Sequence, residues 1–257
     1  MASSTALPAA LLIIYIIVSP SLIYIVKKHG LKHGTFIGWL FLFLFCTLKI
    51  VASAIEIHDA RSSSAALVAS IGLSPLLAAA CGIMHESRVY ILPKSRRPFD
   101  TQYLVLFHGL VTTAIALVAS GASKLNNTTL SPDQLKRSLN LVKGGMILLL
   151  LGWLSLAVVT LTTYGNSLTQ RSRRLAAGES GKALLLAVAI SIPFLGIRLL
   201  ERAVYFFTQN QDLSPVTGSL GLRIGFEVIE EIIVTLVFVF TGILTRNIRM
   251  IAAEDSF

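Results

Sequence analysis

The chain has 257 residues, 54% of them hydrophobic and only 14% charged. A soluble domain carries about 25% charge, so these figures exclude a soluble globular enzyme. A mean hydropathy of +0.75 also excludes a disordered chain, which needs the opposite composition. The net charge of +9 comes with no basic block interleaved with aromatics, so nucleic acid is not an expected partner.

Seven apolar runs follow one another, roughly Ala6–Val26, Thr35–Ile57, Ser64–Met84, Tyr103–Ser120, Leu139–Tyr164, Lys182–Phe207 and Leu220–Thr245. Each is long enough to cross about 30 Å of hydrocarbon as a helix. The runs are continuous rather than alternating, which favours helices over a barrel. The expected architecture is all-α. It is a polytopic membrane protein, one seven-transmembrane-helix bundle over residues 1–257.

The first run has no basic leader, and Lys27 and Lys28 follow it directly. It is expected to be an uncleaved first helix. With the N-terminus lumenal and the C-terminus cytosolic, thirteen Lys and Arg residues of the connections face the cytosol and four face the lumen. The positive-inside rule selects that orientation. The sequons at Asn126 and Asn127 then fall in the lumenal fourth connection, where N-glycosylation occurs. The expected location is the endoplasmic reticulum or another endomembrane. The connections 85–102 and 165–181 read as solvated, basic cytosolic segments.

Cys46 and Cys81 fall at different depths of their helices and read as free thiols. His108, alone on an apolar helix, reads as a packing residue. Pro193 is expected to bend the sixth helix. Pro75 is expected to do the same in the third. Gly221 and Gly225 form a small-xxx-small pair suited to a packing face.

Charges inside spans are costly unless they pair or meet water. Here they concentrate in the lumenal half. Lys49 and Glu56 share a face of the second helix, and Lys143 stands in the fifth. Arg198, Glu201 and Arg202 stand in the sixth. Arg223, Glu227, Glu230 and Glu231 form a stripe on the seventh. This pattern predicts a shared polar cavity open toward the lumenal side, lined by acids and bases.

Common catalytic signatures are missing from the sequence. There is no aspartate-rich diphosphate motif, no histidine cluster for zinc, no G-x-S-x-G and no P-loop. No metal or cofactor is therefore expected.

The run Gly72-Leu73-Ser74-Pro75-Leu76-Leu77 is similar to a signature of a group of fungal seven-helix proteins. So are Ile192-Pro193-Phe194-Leu195 with the following Arg198, and Glu231 before Ile232-Ile233-Val234. That group resembles the membrane-bound terpene cyclases of fungal meroterpenoid pathways, of the ascofuranone type. Arg198 and Glu231 match its pattern. Lys49 stands where the pattern has arginine, and Glu56 and Glu201 stand where it has neutral residues.

The resemblance implies acid-initiated, metal-independent cyclisation of an epoxidised prenyl chain delivered from the bilayer. Glu231 or Glu227 would be the acid, with Glu56 or Glu201 tuning it or taking the last proton. Arg198 and Lys49, with Glu230 and Tyr205, would hold the substrate. The readings kept beside it are a seven-helix sensor or receptor, and a transporter of lipids or small molecules.

Overall fold

A computed structural model describes residues 2–30, 35–59, 63–125, 131–169, 176–209, 221 and 224–254, with the side chains of 2–4, 63–67, 69–71, 168–169, 176, 226–227 and 254 left aside. Every regular element among them is helical. In chain order these are α1 (Ala2–His29), α2 (Phe36–His58), α3 (Ser63–Ile91), a 3₁₀ turn at Lys94–Arg96, α4 (Asp100–Leu125), α5 (Pro132–Thr169) and α6 (Ala176–Thr208). A π-helical turn at Ile224–Val228 then leads into α7 (Ile229–Leu244), and α8 (Ile248–Glu254) follows.

Five helical segments are long and apolar enough to cross a membrane: Thr5–His29, Phe36–His58, Asp100–Leu125, Pro132–Ser167 and Ala177–Thr208. Several long apolar helices make this a multi-pass membrane protein. By itself α7 has 16 residues, about 24 Å of helix. Its π-helical lead-in lengthens it toward the hydrocarbon thickness.

α1, α3, α4, α5 and α6 overrun their apolar runs at both ends. An apolar run marks what lipid demands, whereas backbone hydrogen bonding continues until a cap or a breaker intervenes. At the start of α5 the cap is explicit. The Ser131 hydroxyl accepts from the Gln134 N–H at 3.4 Å, and the Gln134 side chain accepts from the Ser131 N–H at 3.2 Å. With Pro132 at the first helical position, this is a capping box. It starts α5 seven residues before the apolar run.

The connection read as 85–102 is corrected most. α3 continues to Ile91, and His85, Glu86 and Ser87 are buried rather than solvated. Arg88 then closes the turn into α4. Its Nε and Nη2 grip the Asp100 carboxylate at 2.8–3.1 Å, and its Nη1 donates to Thr163 Oγ1 at 2.6 Å.

α3 is the centre of the bundle and packs against α2, α4, α5 and α6. Glycines set the closest approaches. A Cβ on Gly38 would meet the Ile83 backbone nitrogen at 2.5 Å, and a Cβ on Gly82 would strike Gly38 itself. Across α4 and α5, Gly121 and Gly145 lie against the Ser138 and Ala114 carbonyls in the same way. Backbones approaching this closely are the packing mode of helices in lipid.

The pair Gly221 and Gly225 shows no such approach among the described residues. A Cβ at either meets nothing within 4 Å among the described residues, and Gly225 lies within the π turn. Pro75 and Pro193 sit within α3 and α6, which run on past them. Cys46 and Cys81 are buried free thiols. His108 packs against Phe41 with ring centroids 4.8 Å apart, and its Nδ1 meets the Leu104 carbonyl at 2.8 Å.

Gly82→Val places two methyls against the α2 backbone, which cannot yield as a side chain could. We expect a loss of stability of about 1–3 kcal/mol or more, read as a lower thermal midpoint in detergent. Gly109→Ala, which meets open space, should leave the midpoint unchanged.

Candidate functional site

One locus gathers six charged side chains inside this bundle. α2 supplies Lys49, α6 supplies Arg198, Glu201 and Arg202, and α7 supplies Glu230 and Glu231 right after the π turn. Glu231 is the hub. One of its oxygens is ion-paired with Lys49 Nζ, and the other accepts from Arg198 Nε at 3.3 Å. Arg198 reaches on through Nη1 to Glu201 Oε2 at 2.7 Å, and Arg202 Nε lies 3.7 Å from that same oxygen. Lys49, Arg198, Arg202, Glu230 and Glu231 are each at most 5% exposed.

The spacing explains the convergence. Arg198 and Glu201 are three residues apart and so share a face of α6. Glu231 stands on α7, which packs against α6 and α1, and the long Lys49 side chain reaches it from α2. Lys49 completes the pairing with its stem along Gly72 of α3 and its ammonium 5.8 Å from the Phe45 ring.

The acids differ in what holds them. Glu231 is the shared counter-ion of two cations, and Glu201 is held by Arg198. Glu230 Oε2 is buried and makes no hydrogen bond among the described residues. Leu73, Leu76, Phe194, Leu195 and Val234 close over Arg198, Glu230 and Glu231 so tightly that no water-sized space is left beside them. A second crevice, lined by Arg202 and by residues of α3, α4 and α5, has room for about one water.

Of the residues singled out from sequence, Glu231, Glu201, Arg198, Lys49 and Glu230 come together. Among the described residues, these two crevices border the buried charges. Glu56 is half-buried, about 10 Å beyond Lys49 along α2. Tyr205 is half-buried and packs edge-on against Phe206, with centroids 4.8 Å apart. Lys143 stands over the Phe207 ring at 5.3 Å. The Glu227 side chain, Arg223, Asn126 and Asn127 lie outside the described residues.

Sequence reasoning missed a second buried polar cluster, near the opposite ends of these helices. Glu86 of α3 accepts from Trp39 Nε1 at 2.7 Å and meets His29 Nδ1 at 2.7 Å. His29 Nε2 lies 3.1 Å from the Gly242 carbonyl of α7. A carbonyl only accepts, so Nε2 carries a proton. One further proton is then shared between Nδ1 and the Glu86 carboxyl. The node ties the ends of α1, α3 and α7 to the start of α2, so these helices alternate in direction.

This whole unit, from α1 to the start of α8, is one family domain. The chain belongs to the DUF7702 family. The family model, a domain of unknown function, matches residues 3–248. No curated protein and no solved structure matches the chain. Both buried clusters of this DUF7702 chain lie within the matched span. Among its described residues, no three His, Cys, Asp or Glu side chains are grouped to hold a metal ion.

Glu86→Leu strands the His29 proton and the Trp39 N–H in an apolar interior. The expected cost is about 3–5 kcal/mol, seen as a sharply lower midpoint or loss of folded protein. Unchanged melting would mean that the node contributes nothing to the fold.

Proposed function

We propose that this protein is an intramembrane enzyme that cyclises or rearranges an epoxidised prenyl substrate by proton transfer, without metal or cofactor. What carries the reading is the pair Glu230 and Glu231. Adjacent acids stand in one dry site, one occupied by two cations and the other with a carboxyl oxygen, Oε2, that makes no hydrogen bond among the described residues. An ionised carboxylate at Glu230 would lack the donors that a buried charge needs. We therefore give Glu230 the transferable proton and Glu231 the role of fixed counter-ion, which reverses the roles the resemblance implies.

The chemistry is then an isomerisation. The Glu230 carboxyl protonates the epoxide oxygen, and the tertiary C–O bond opens as a nearby alkene or hydroxyl of the substrate closes on that carbon. The resulting cation loses a proton to the Glu230 carboxylate, directly or by way of Glu201, which restores the site. Lys49 and Arg198 hold Glu231 in place. The apolar cover, Leu73, Leu76, Phe194, Leu195 and Val234, shields the cation from water.

A prenyl chain needs more space than the crevice beside Glu230 has among the described residues, and a parting of α6 and α7 would supply it. The π turn at Ile224–Val228 is suited to this. Such turns interrupt the regular ladder of hydrogen bonds and occur often at functional sites.

The same reading has seven spans, a lumenal N-terminus, a cytosolic C-terminus, residence in an endomembrane and glycosylation at Asn126 or Asn127. The alternation of helix direction at the His29 node supports the odd number of crossings. A second reading, a seven-helix sensor at rest, is favoured by the tight closure around Glu231. It predicts ligand binding without turnover.

Membranes from a heterologous fungus expressing the chain, supplied with a farnesylated phenol epoxide, test the proposal. Wild type should yield an isomer of the substrate, and Glu230→Gln should lower the rate by about a hundredfold or more. Cyclisation by Glu230→Gln at the wild-type rate would remove the proposed acid.

A further inference from the structure

The turn between α3 and α4 carries more positive charge than its own acid can meet. From Ser87 to Gln102 the sequence holds four cations, Arg88, Lys94, Arg96 and Arg97, and one acid, Asp100. Arg88 takes that acid, with its Nε and Nη2 on the carboxylate oxygens at 2.8–3.1 Å. Lys94 and Arg96 are exposed. Arg97 is half-buried, and its Nε is shut off from solvent with no hydrogen-bond partner among the described residues. Burial pulls its pKa below the ordinary arginine value, opposed by Asp100 and reinforced by the like charge of Arg88.

The backbone fixes the guanidinium where it is. The Arg97 N–H donates to the Lys94 carbonyl at 3.3 Å, and the Arg97 carbonyl accepts from the Asp100 N–H at 3.4 Å. A buried donor without an acceptor is costly, and an anion beside Arg97 would relieve that cost. The start of α6 comes to the same end of the bundle, where Ser87 Oγ donates to the Gly181 carbonyl at 2.9 Å. It brings Lys182 and Glu179, which pair with each other at 2.7 Å, so it adds no net negative charge.

The turn also has an apolar projection. Phe99 is 72% exposed and stands immediately before α4, which is long and apolar enough to cross a membrane. Its ring is therefore at a boundary of the bilayer, where a phenyl group enters the acyl region and a cation meets the headgroups.

We propose that this turn is a binding site for one anionic phospholipid, with Arg97 on the phosphate and Phe99 among the acyl chains. Guanidinium and phosphate suit each other as a two-pronged pair. The surplus of positive charge sets the choice of head. A zwitterionic lipid brings its own ammonium group, which these cations repel, and an anionic lipid does not. Arg88 has a different task, since Asp100 and Thr163 hold it to the fold. The site is remote from the Glu231 bridge. Gly72 of α3 lies against the Lys49 stem, and Arg88 follows sixteen residues later, about 24 Å of helix. Acid chemistry at Glu230 and lipid at Arg97 can therefore fail separately.

The test offers the full chain in detergent micelles equal amounts of phosphatidylglycerol and phosphatidylcholine with the same acyl chains. The protein is captured on an affinity resin, and the retained lipid is measured by mass spectrometry. Wild type should retain phosphatidylglycerol in more than about tenfold excess, and Arg97→Gln should lower that excess about fivefold. Arg96→Gln removes the same charge from an exposed position and should lower it less. Phe99→Ser should reduce the total lipid retained, and 10 mM inorganic phosphate should displace none of it.

Equal retention of the two lipids by wild type would overturn the proposal. Equal losses for Arg96→Gln and Arg97→Gln would do so too, because the turn would then be a diffuse basic surface. Displacement by inorganic phosphate would assign the site to a soluble anion and remove the lipid. Should Arg97→Gln not fold, undiminished retention by Phe99→Ser would still count against the site.

Discussion

A carboxylate shared between two cations governs this molecule. Glu231 holds Lys49 of α2 and Arg198 of α6 inside a bundle that excludes water. None of the three could be buried alone, since an unpaired charge in such a medium costs several kcal/mol. Together they fix α7 against α6 in one register and tie it to α2 through the Lys49 side chain. They also turn α6 so that Glu201 and Arg202 stand beside them. The positions of Glu230 and the π turn follow from that anchorage.

The second node does the same work near the other ends of the helices. His29, Trp39 and Glu86 with the Gly242 carbonyl join four helices through groups that lipid could not satisfy. The two clusters meet α7 eleven residues apart, about 16 Å of helix. Between them α7 is apolar on its buried face, with Val234 and Phe238 packed into the core. Polar anchorage at both ends and apolar packing in between leave the lead-in to α7 as the one segment of it that departs from regular helix. There the proposed acid chemistry and the entry of substrate coincide.

Composition and hydropathy made the helical membrane architecture legible, because each apolar run is what a lipid-facing helix requires. The convergence of Lys49, Arg198, Glu201 and Glu231 was legible as well, through helical spacing and the cost of charge within a span. The Glu86 node was not. His85-Glu86-Ser87-Arg88 reads as the polar start of a loop, and its partners are 47 and 57 residues away. A signal was present in the spacing, since Glu86 continues the face of α3 that carries Ala79 and Gly82. That face becomes visible as buried only once Gly38 is known to press against it. The extent of the hollow was illegible for a related reason. Side-chain volumes of Leu73, Phe194 and Val234 decide how far it closes, and a list of charges does not contain them.

The most direct test of the central pairing is a double-mutant cycle on Lys49→Met and Glu231→Gln, read by thermal unfolding in detergent. If Glu231 is the counter-ion that lets Lys49 be buried, each single variant is strongly destabilised. The double variant then loses less than the two losses combined, with a coupling of about 1 kcal/mol or more. Strictly additive losses would contradict the account, because Lys49 and Glu231 would then be buried for separate reasons.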